Sequence, residues 1–177
     1  METERLLLLP PAIEHQPLLL DAIIKSQHEL GKYLDWVPDN LTHEATIEST
    51  LKAIDNYQNF EKELRFSIFE KESMTFLGLI GLIIRDKTIP FFEMGYWLST
   101  EHHGKGYVTE AVQAVEQYAF QELGAQRLEI KAAKSNLKSL AIAKRHGYQY
   151  EGTLRRARKL PSGELDDIVI YSKIANH

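Results

Sequence analysis

The sequence predicts a mixed α/β fold in which helices pack on one sheet, and it does not predict a doubly wound fold. Residues 64–70 alternate apolar and polar side chains, which is typical of a half-buried strand. Residues 76–85 are apolar almost throughout and indicate a central strand. Residues 13–30 repeat apolar side chains at helical spacing. Both periods therefore occur in one chain.

The first part of the chain predicts one strand and two helices. Residues 3–9 form the strand, because Pro10 and Pro11 stop it. A helix over 13–30 follows, and a second helix over 43–61 begins after Thr42, a residue type that caps helix starts. We expect that second helix to bury its apolar side chains, which are Ala45, Ile47, Leu51 and Ile54.

The rest of the chain predicts most of the sheet. Strands at 64–70, 76–85 and 89–99 lie close in sequence and form an antiparallel meander in the simplest arrangement. The further elements are a helix from the glycine loop at 104–106 to Leu123, a strand at 127–132 and a short helix from Asn136 that ends before Gly147. Strands at 148–159 and 164–174 follow, around a turn at 161–163. The order is β-α-α-β-β-β-α-β-α-β-β.

Composition narrows the class of protein. A chain of 177 residues with a net charge of 21 − 25 = −4 is expected to be one domain, 1–177, with no direct nucleic-acid partner. The absence of cysteine excludes thiol nucleophiles, disulfides and zinc–thiolate clusters. The longest apolar run, 76–84, is half of the ~18 residues that a spanning helix needs. We expect a cytoplasmic protein without a membrane partner.

Histidine motifs do not predict a metal site. His28-Glu29 and His43-Glu44 start like zinc-protease motifs, but neither has a second histidine four positions on. His102 and His103 are adjacent, and neighbouring side chains do not converge easily on one ion. No metal is expected.

The most informative segment is a strand, a turn with two glycines, and a helix start over 95–111. Free N–H groups and the positive end of the helix dipole favour a phosphate at such a junction. Gly104 and Gly106 allow the backbone to approach a ligand closely, and Lys105 and Thr109 could add contacts. The alternative is a plain strand-to-helix turn, which a lone pair of glycines would also explain.

Known phosphate loops fit poorly. A Walker A loop needs Ser or Thr after Gly-Lys, but Gly106 follows Lys105 here. A dinucleotide fingerprint needs a third glycine, and Thr109 occupies that position. The further motifs of a kinase are absent. The remaining possibility is a loop that holds the pyrophosphate of coenzyme A.

Three segments resemble the GNAT superfamily of acyl-CoA-dependent N-acetyltransferases, in the branch with RimJ and RimL, the ribosomal-protein N-terminal acetyltransferases. They are 3–8 (TERLLL), 95–111 (GYWL followed by GKGYVTEA), and 136–152 (NLKS and GYQYEG). The resemblance covers nearly the whole chain. It departs at Glu101, where the superfamily loop often has Arg or Gln, and near Arg158, where some RimL-type enzymes place an acidic residue proposed as the base.

The resemblance implies a mostly antiparallel GNAT sheet whose fourth and fifth strands, about 91–99 and 127–134, splay apart. Acetyl-CoA would be the co-substrate, and its acetyl group would pass directly to an amine. A backbone N–H near Leu98 could polarise the thioester carbonyl. The cofactor-binding residues implied are Trp97, Leu98 and Ser99 for the pantetheine arm, the amides of Gly104, Lys105, Gly106, Tyr107, Val108 and Thr109 for the pyrophosphate, and Asn136 for the arm.

Two side chains are the catalytic candidates. Glu93, on the strand that enters the gap, is the first candidate base, although a lone glutamate is more commonly solvated or ion-paired. Ser139 follows Asn136 by three residues and is the candidate donor toward the thiolate, although such a serine often only caps a helix. Tyr148 is an alternative donor, but we expect it to pack in the core.

The acceptor class stays open at this point. A protein α-amine, with a pKa near 8, is roughly a tenth neutral at pH 7, whereas a lysine amine near 10.4 is far less available. A weak base therefore suits a protein N-terminus, such as that of a ribosomal protein. The alternatives are a small amine, such as an aminoglycoside, polyamine or amino acid, and a non-catalytic acyl-CoA-binding module.

Two surface features complete the expectations. The basic run Arg155–Lys159 could meet a partner, but we expect cross-strand charge pairs with Glu164, Asp166 and Asp167 instead. Many relatives pair as homodimers, and the resemblance implies that an edge strand of the C-terminal hairpin could mediate the same pairing here.

Overall fold

The computed structural model describes residues 1–175, and it has the predicted order of seven strands and four helices. The strands are β1 Leu6–Leu9, β2 Glu63–Glu70, β3 Phe76–Asp86, β4 Phe91–Leu98, β5 Arg127–Ala133, β6 Gln149–Lys159 and β7 Leu165–Ile174. The helices are α1 Gln16–Leu30, α2 His43–Asn59, α3 Tyr107–Gln121 and α4 Leu137–Arg145. Among the described residues, no helix is long and apolar enough to span a membrane.

One sheet holds all seven strands, in the spatial order β1-β2-β3-β4-β5-β7-β6. Neighbouring strands are antiparallel except β4 and β5, which run parallel. The parallel pair arises because α3 carries the chain back between these two strands. The predicted meander of β2, β3 and β4 is confirmed.

The β4–β5 pair is short, and this positions the site. Residues 91–93 pair with residues 127–129, whereas the rest of the two strands is not paired across this boundary. Beyond it, β4 continues to pair with β3, and β5 continues to pair with β7. A gap therefore opens in the middle of the sheet toward the C-terminal ends of β4 and β5.

Apolar side chains cover both faces of the sheet. On one face, α3 packs Ala111, Val112 and Val115 against strand residues such as Leu82 and Ile130. On the other face, α1 and the segment after it form a second cluster around Ile23, Val37, Phe76 and Trp97. The sheet is therefore packed on both faces, and the strands on either side of the gap are supported by these two clusters.

The predicted face of α2 is wrong. Ile47 and Leu51 are 39% and 53% exposed, and Ala45 and Ile54 are half-buried. The helix instead buries small and polar side chains, which are Thr46, Thr50, Ala53 and Asn56. A hydrogen bond from α1 compensates the burial of Thr46, because Gln16 donates to Thr46 Oγ1 at 2.6 Å. The predicted cap is confirmed, since Thr42 Oγ1 accepts from the N–H of Ala45 at 3.2 Å.

The cross-strand charge pairs expected on the C-terminal hairpin are also wrong. Arg158 does lie opposite Asp166 in the register of β6 and β7. However, Asp166 accepts from the Ser135 hydroxyl at 2.6 Å, and Lys134 pairs with Asp167 at 3.0 Å. The loop between β5 and α4 therefore supplies the side-chain partners of these carboxylates, and from β6 only the backbone N–H of Arg156 donates to Asp167, at 2.9 Å.

Candidate active site

The two glycines form a turn that only their conformational freedom permits. After β4, one 3₁₀ turn over Thr100–His102 leads to Gly104 at φ 78° and Gly106 at φ 82°, and α3 starts at Tyr107. Both glycines are exposed, and a Cβ on Gly104 would meet no atom within 4 Å. The requirement for glycine at position 104 is therefore one of backbone conformation, and the space above the turn is open.

The amides of this turn are available to a ligand. The first N–H to donate within α3 is that of Glu110, which reaches the carbonyl oxygen of Gly106 at 3.1 Å. The N–H groups of residues 104–109 precede this bond and lie at the positive end of the helix dipole. This arrangement suits a diphosphate, as the sequence predicts.

The side chains of the turn have separate roles. Tyr107 is buried, and its hydroxyl donates to Glu70 Oε1 at 2.6 Å, so a ligand above the turn meets its main chain. Val108 packs against the core under α3, while Lys105 is exposed. The hydroxyl of Thr109 is occupied, since it accepts from Arg145 Nη1 at 2.9 Å.

Arg145 is a cation at this site that the sequence prediction missed. It lies at the end of α4, where a cation in the last turn is fully explained by the helix dipole. Its bond to Thr109 instead brings the guanidinium to the first turn of α3. The signal available in sequence was weak, because it required knowing that α4 ends beside α3.

The register of β4 decides which backbone groups face the gap. The N–H of Ser99 donates to the carbonyl of Leu77 on the β3 side at 2.8 Å. Alternate residues of a strand direct their backbone groups to opposite sides. The backbone N–H of Trp97 therefore also faces β3, and the backbone N–H of Leu98 faces the gap. The His103 ring lies 3.2 Å from the carbonyl oxygen of Leu98. Of the three residues predicted for the pantetheine arm, Leu98 is the one whose N–H faces the gap, and its contact with the cofactor stays a prediction.

The side chain of Trp97 lies on the other face of the sheet. It is 9% exposed, and its ring centre is 6.1 Å from that of Trp36. Tyr33, in the same segment between α1 and α2, donates to the carbonyl of Ser135 at 3.1 Å, and Arg158 donates to the carbonyl of Tyr33. These bonds connect the segment after α1 with β6 and with the loop before α4, beside the gap.

Asn136 and Ser139 form the start of α4. The Oδ1 of Asn136 accepts from the N–H of Ser139 at 3.2 Å and caps the helix. The cap uses only the Oδ1 of Asn136, and the contact of this residue with the cofactor arm stays a prediction. The hydroxyl of Ser139 lies 3.3 Å from the hydroxyl of Tyr96 on β4.

Tyr96 is a second residue that the sequence prediction missed. Its hydroxyl donates to the carbonyl of Ser139 at 3.2 Å, and burial raises its pKa to about 12. The phenol is therefore protonated over the whole physiological range. Its position in the alternation of β4, one residue before Trp97, was the available signal for a side chain beside the gap.

Glu93 is enclosed by two cations. It is the last β4 residue paired with β5, and its side chain is 14% exposed. Its carboxylate lies 2.7 Å from Arg85 Nη2 and 3.3 Å from Lys131 Nζ. Lys131 also pairs with Glu129 at 2.7 Å. The carboxylate is thus near the point where the strands part, and its role as base stays a prediction.

Tyr148 packs in the core, as expected. It is 4% exposed, and the ammonium of Lys173 lies 5.7 Å from its ring centre. Burial, together with the nearby charge of Glu116, raises the pKa of this phenol. Within residues 1–175, no group of three or more His, Asp or Glu side chains is placed to hold a metal ion.

Comparisons with known proteins agree on one family. A family model for the acetyltransferase (GNAT) domain matches residues 5–149. The chain is 31% identical to the uncharacterized N-acetyltransferase p20 of Bacillus licheniformis, over 96% of this chain and 93% of that one. It is 29% identical to the ribosomal-protein-serine acetyltransferase of Escherichia coli (strain K12), over 92% of this chain and 89% of that one.

Solved structures share the fold over almost the whole chain. The microcin C7 self-immunity acetyltransferase MccE, in complex with acetyl-CoA and AMP, matches with a TM-score of 0.90 and 29% identity, covering 98% of this chain and 94% of its own. RimL, the ribosomal L7/L12 α-N-protein acetyltransferase in complex with coenzyme A, matches with a TM-score of 0.91 and 24% identity, covering 97% and 95%.

The parted sheet, the glycine turn and the matched family model together define an acetyltransferase. The chain belongs to the GNAT acetyltransferase family, whose members transfer an acetyl group from acetyl-CoA to an amine. The resemblance of its motifs to the RimJ and RimL branch is confirmed, since ribosomal-protein acetyltransferases are among its relatives.

Proposed function

We propose that this enzyme transfers the acetyl group of acetyl-CoA to the α-amine of a protein N-terminus, of the ribosomal-protein type. The observation that carries the binding of the acetyl donor is the glycine turn. Its amides from Gly104 to Thr109 lie at the open end of the gap between β4 and β5. The similarity to the E. coli ribosomal-protein-serine acetyltransferase supports a protein N-terminus as the acceptor.

The donor is held mainly by main-chain groups. The diphosphate receives the amides of the turn, and the pantetheine arm extends along β4 into the gap, with Asn136 beside it. The N–H of Leu98 then donates to the thioester carbonyl and stabilises the negative charge that develops on its oxygen. Main-chain donors fixed in a sheet need little reorganisation during the reaction.

Transfer forms a C–N bond and breaks the C–S bond. The neutral amine attacks the carbonyl carbon, and the attacking nitrogen loses a proton to Glu93, directly or through water. The thiolate of coenzyme A leaves and takes a proton from the hydroxyl of Ser139. Solvent then returns a proton to Ser139 and takes up the proton held by Glu93, so both groups end the cycle as they began it. The protonated hydroxyl of Tyr96, 3.3 Å away, positions the serine hydroxyl.

A carboxylate as the base favours an α-amine over a lysine side chain. Glu93 is held between Arg85 and Lys131, and carboxylates as a class are weak bases. A weak base suffices for an amine with a pKa near 8, because roughly a tenth of it is already neutral at pH 7. A lysine amine would need a stronger base.

A second candidate acceptor is a small amine. The structure of MccE, at 29% identity, holds acetyl-CoA together with AMP, which supports a small-molecule acceptor on the same fold. The experiment is a thiol-release assay with acetyl-CoA and two acceptor panels, ribosomal N-terminal peptides and small amines. Preference for peptides by kcat/KM supports the proposal, and preference for small amines would replace it.

Two further expectations depend on this acceptor. A ribosomal-protein acceptor would place the enzyme in the cytoplasm, where ribosomal proteins are made. A homodimer would use β6, which lies at the edge of the sheet and exposes Tyr150 and Leu154. Analytical ultracentrifugation of the protein and of Leu154→Lys tests this pairing.

A further inference from the structure

Arg5 connects the N-terminal segment to the glycine turn. Its Nη1 donates to the carbonyl oxygen of Lys105 at 3.0 Å, and its Nε donates to Glu110 Oε2 at 2.7 Å. The guanidinium carbon lies 4.8 Å from the ring centre of Tyr107. One side chain therefore contacts the turn, the first residue of α3 and the first turn of that helix.

Glu110 is the second half of this contact. Its Oε1 accepts from the backbone N–H of Arg5 at 2.8 Å and from the hydroxyl of Thr3 at 2.6 Å. Its side chain is 18% exposed. Although burial raises the pKa of this carboxyl, the hydrogen bonds from Thr3 and Arg5 lower it below the usual value overall. Glu110 is therefore ionised and held in one orientation.

The bond to Lys105 fixes a peptide plane in the turn. The peptide bond between Lys105 and Gly106 is trans, so the carbonyl of Lys105 and the N–H of Gly106 point in opposite directions. Arg5 holds the carbonyl on its own side, and the N–H of Gly106 is directed away from Arg5. This amide is one of those that we assign to the diphosphate.

We propose that Arg5 is a positioning residue, which sets the direction of the Gly106 amide and so the affinity for the diphosphate of coenzyme A. This inference rests on the proposed function of the glycine turn. The N-terminal segment, which is far from the turn in sequence, thereby becomes part of cofactor recognition. Arg5 needs no contact with the cofactor for this role.

Charge gives Arg5 a second effect on the same site. Glu110 lies in the first turn of α3, close to where a diphosphate would be held. An uncompensated carboxylate there would repel the diphosphate and offset the helix dipole. Arg5 supplies the compensating positive charge at 2.7 Å.

The test compares two acetyl donors, acetyl-CoA and S-acetylpantetheine, which lacks the diphosphate. For Arg5→Ala we expect the KM for acetyl-CoA to rise about tenfold, which corresponds to one charged hydrogen bond. The KM for S-acetylpantetheine and the kcat with acetyl-CoA should each change less than about twofold. Arg5→Lys keeps the charge but loses the forked geometry of the guanidinium. Its KM for acetyl-CoA should therefore lie between that of the wild type and that of Arg5→Ala.

Two further variants make the result specific. Lys71→Ala removes the ion pair of Lys71 with Glu2 on the same N-terminal segment, and it should not change the KM for acetyl-CoA. Adding Glu110→Gln to Arg5→Ala should recover part of the KM, because the uncompensated charge is gone. No recovery, or a further rise, would overturn the charge argument.

The outcomes separate this inference from the proposed function. If the wild-type enzyme has no preference for acetyl-CoA over S-acetylpantetheine, the proposed role of the turn fails. If the wild type has that preference and Arg5→Ala keeps it, the positioning role of Arg5 is wrong. An equal loss with both donors would show a purely structural role and would also overturn the inference.

Discussion

The hydroxyl of Tyr96 lies 3.3 Å from the hydroxyl of Ser139, and it donates to the carbonyl of the same residue at 3.2 Å. The pair connects β4 with the first turn of α4, across the gap where the strands part. The hydroxyl of Ser139 thus has a protonated phenol, that of Tyr96, as its neighbour. A serine that only capped α4 would not need one, because Asn136 already serves as the cap.

Removing the Ser139 hydroxyl should slow the release of the thiolate. We expect Ser139→Ala to lower kcat at least about tenfold and Tyr96→Phe to lower it by a smaller factor, since general acid catalysis is commonly worth about 100-fold or more. Steady-state thiol release with saturating acetyl-CoA measures both. Tyr150→Phe, an exposed tyrosine on β6, is the control and should leave kcat unchanged. An unchanged kcat in Ser139→Ala would remove this residue from the mechanism.

A β-branched side chain at position 104 should weaken cofactor binding. Gly104 has φ 78°, and Gly104→Val strains this conformation by about 1–2 kcal/mol or changes the turn. We expect the Kd for coenzyme A, measured by calorimetry, to rise about tenfold or more. Gly124→Val is the matched control, because Gly124 has φ 63° and open space but lies after α3. Equal affinities of the two variants would mean that the turn does not hold the cofactor.

Neutralising Glu93 tests the base. We expect Glu93→Gln to reduce kcat about tenfold or more at pH 7, with a smaller loss at higher pH, where the α-amine is already neutral. The pH profile of kcat with an N-terminal peptide measures this. Glu116→Gln is the control, because Glu116 is 15% exposed and ion-paired with Lys173 on the opposite layer. If Glu93→Gln keeps its activity, the carboxylate is only a structural partner of Arg85 and Lys131.

The ion pair between Arg127 and Glu151 should make the free energy of unfolding depend on pH in the acid range. Hydrogen bonds from Arg127 and Ser172 lower the pKa of Glu151 to about 2. Its folded pKa is below its unfolded value of about 4.3, so its stabilisation is full above pH 5 and is lost as pH falls toward 2. Glu151 is 40% exposed, so screening limits the effect to about 1 kcal/mol. Urea unfolding of wild type and Glu151→Gln should differ at pH 7 and converge near pH 2. A constant difference would contradict this.

The sequence predicted the elements well where local signals and tertiary packing agree. The order of strands and helices, the Thr42 cap and the glycine turn all have strong local signals. The prediction of the buried face of α2 was wrong. Ile47 and Leu51 indicated an apolar face, whereas a hydrogen bond from Gln16 allows the polar side chain of Thr46 to be buried. Such partners come from distant parts of the chain and cannot be read from periodicity.

The site was predicted only in part for the same reason. The positions of Gly104, Gly106 and Asn136 follow from turn and cap chemistry, which acts within a few residues. Tyr96 and Arg145 reach the site through contacts across 43 and 36 residues of sequence. Glu93 was found as a carboxylate near the gap, but its two cationic neighbours required the register of β3, β4 and β5.

In the proposed function, acetyl-CoA is held largely by peptide groups, in the turn before α3 and at Leu98. Peptide groups are the same whatever residue carries them, so most substitutions leave this binding intact as long as the chain path is kept. Recognition of an acceptor depends on side chains, and each substitution of a side chain changes its shape and chemistry. A lineage can therefore acquire new acceptors while it inherits one donor, and relatives near 30% identity need not share a substrate.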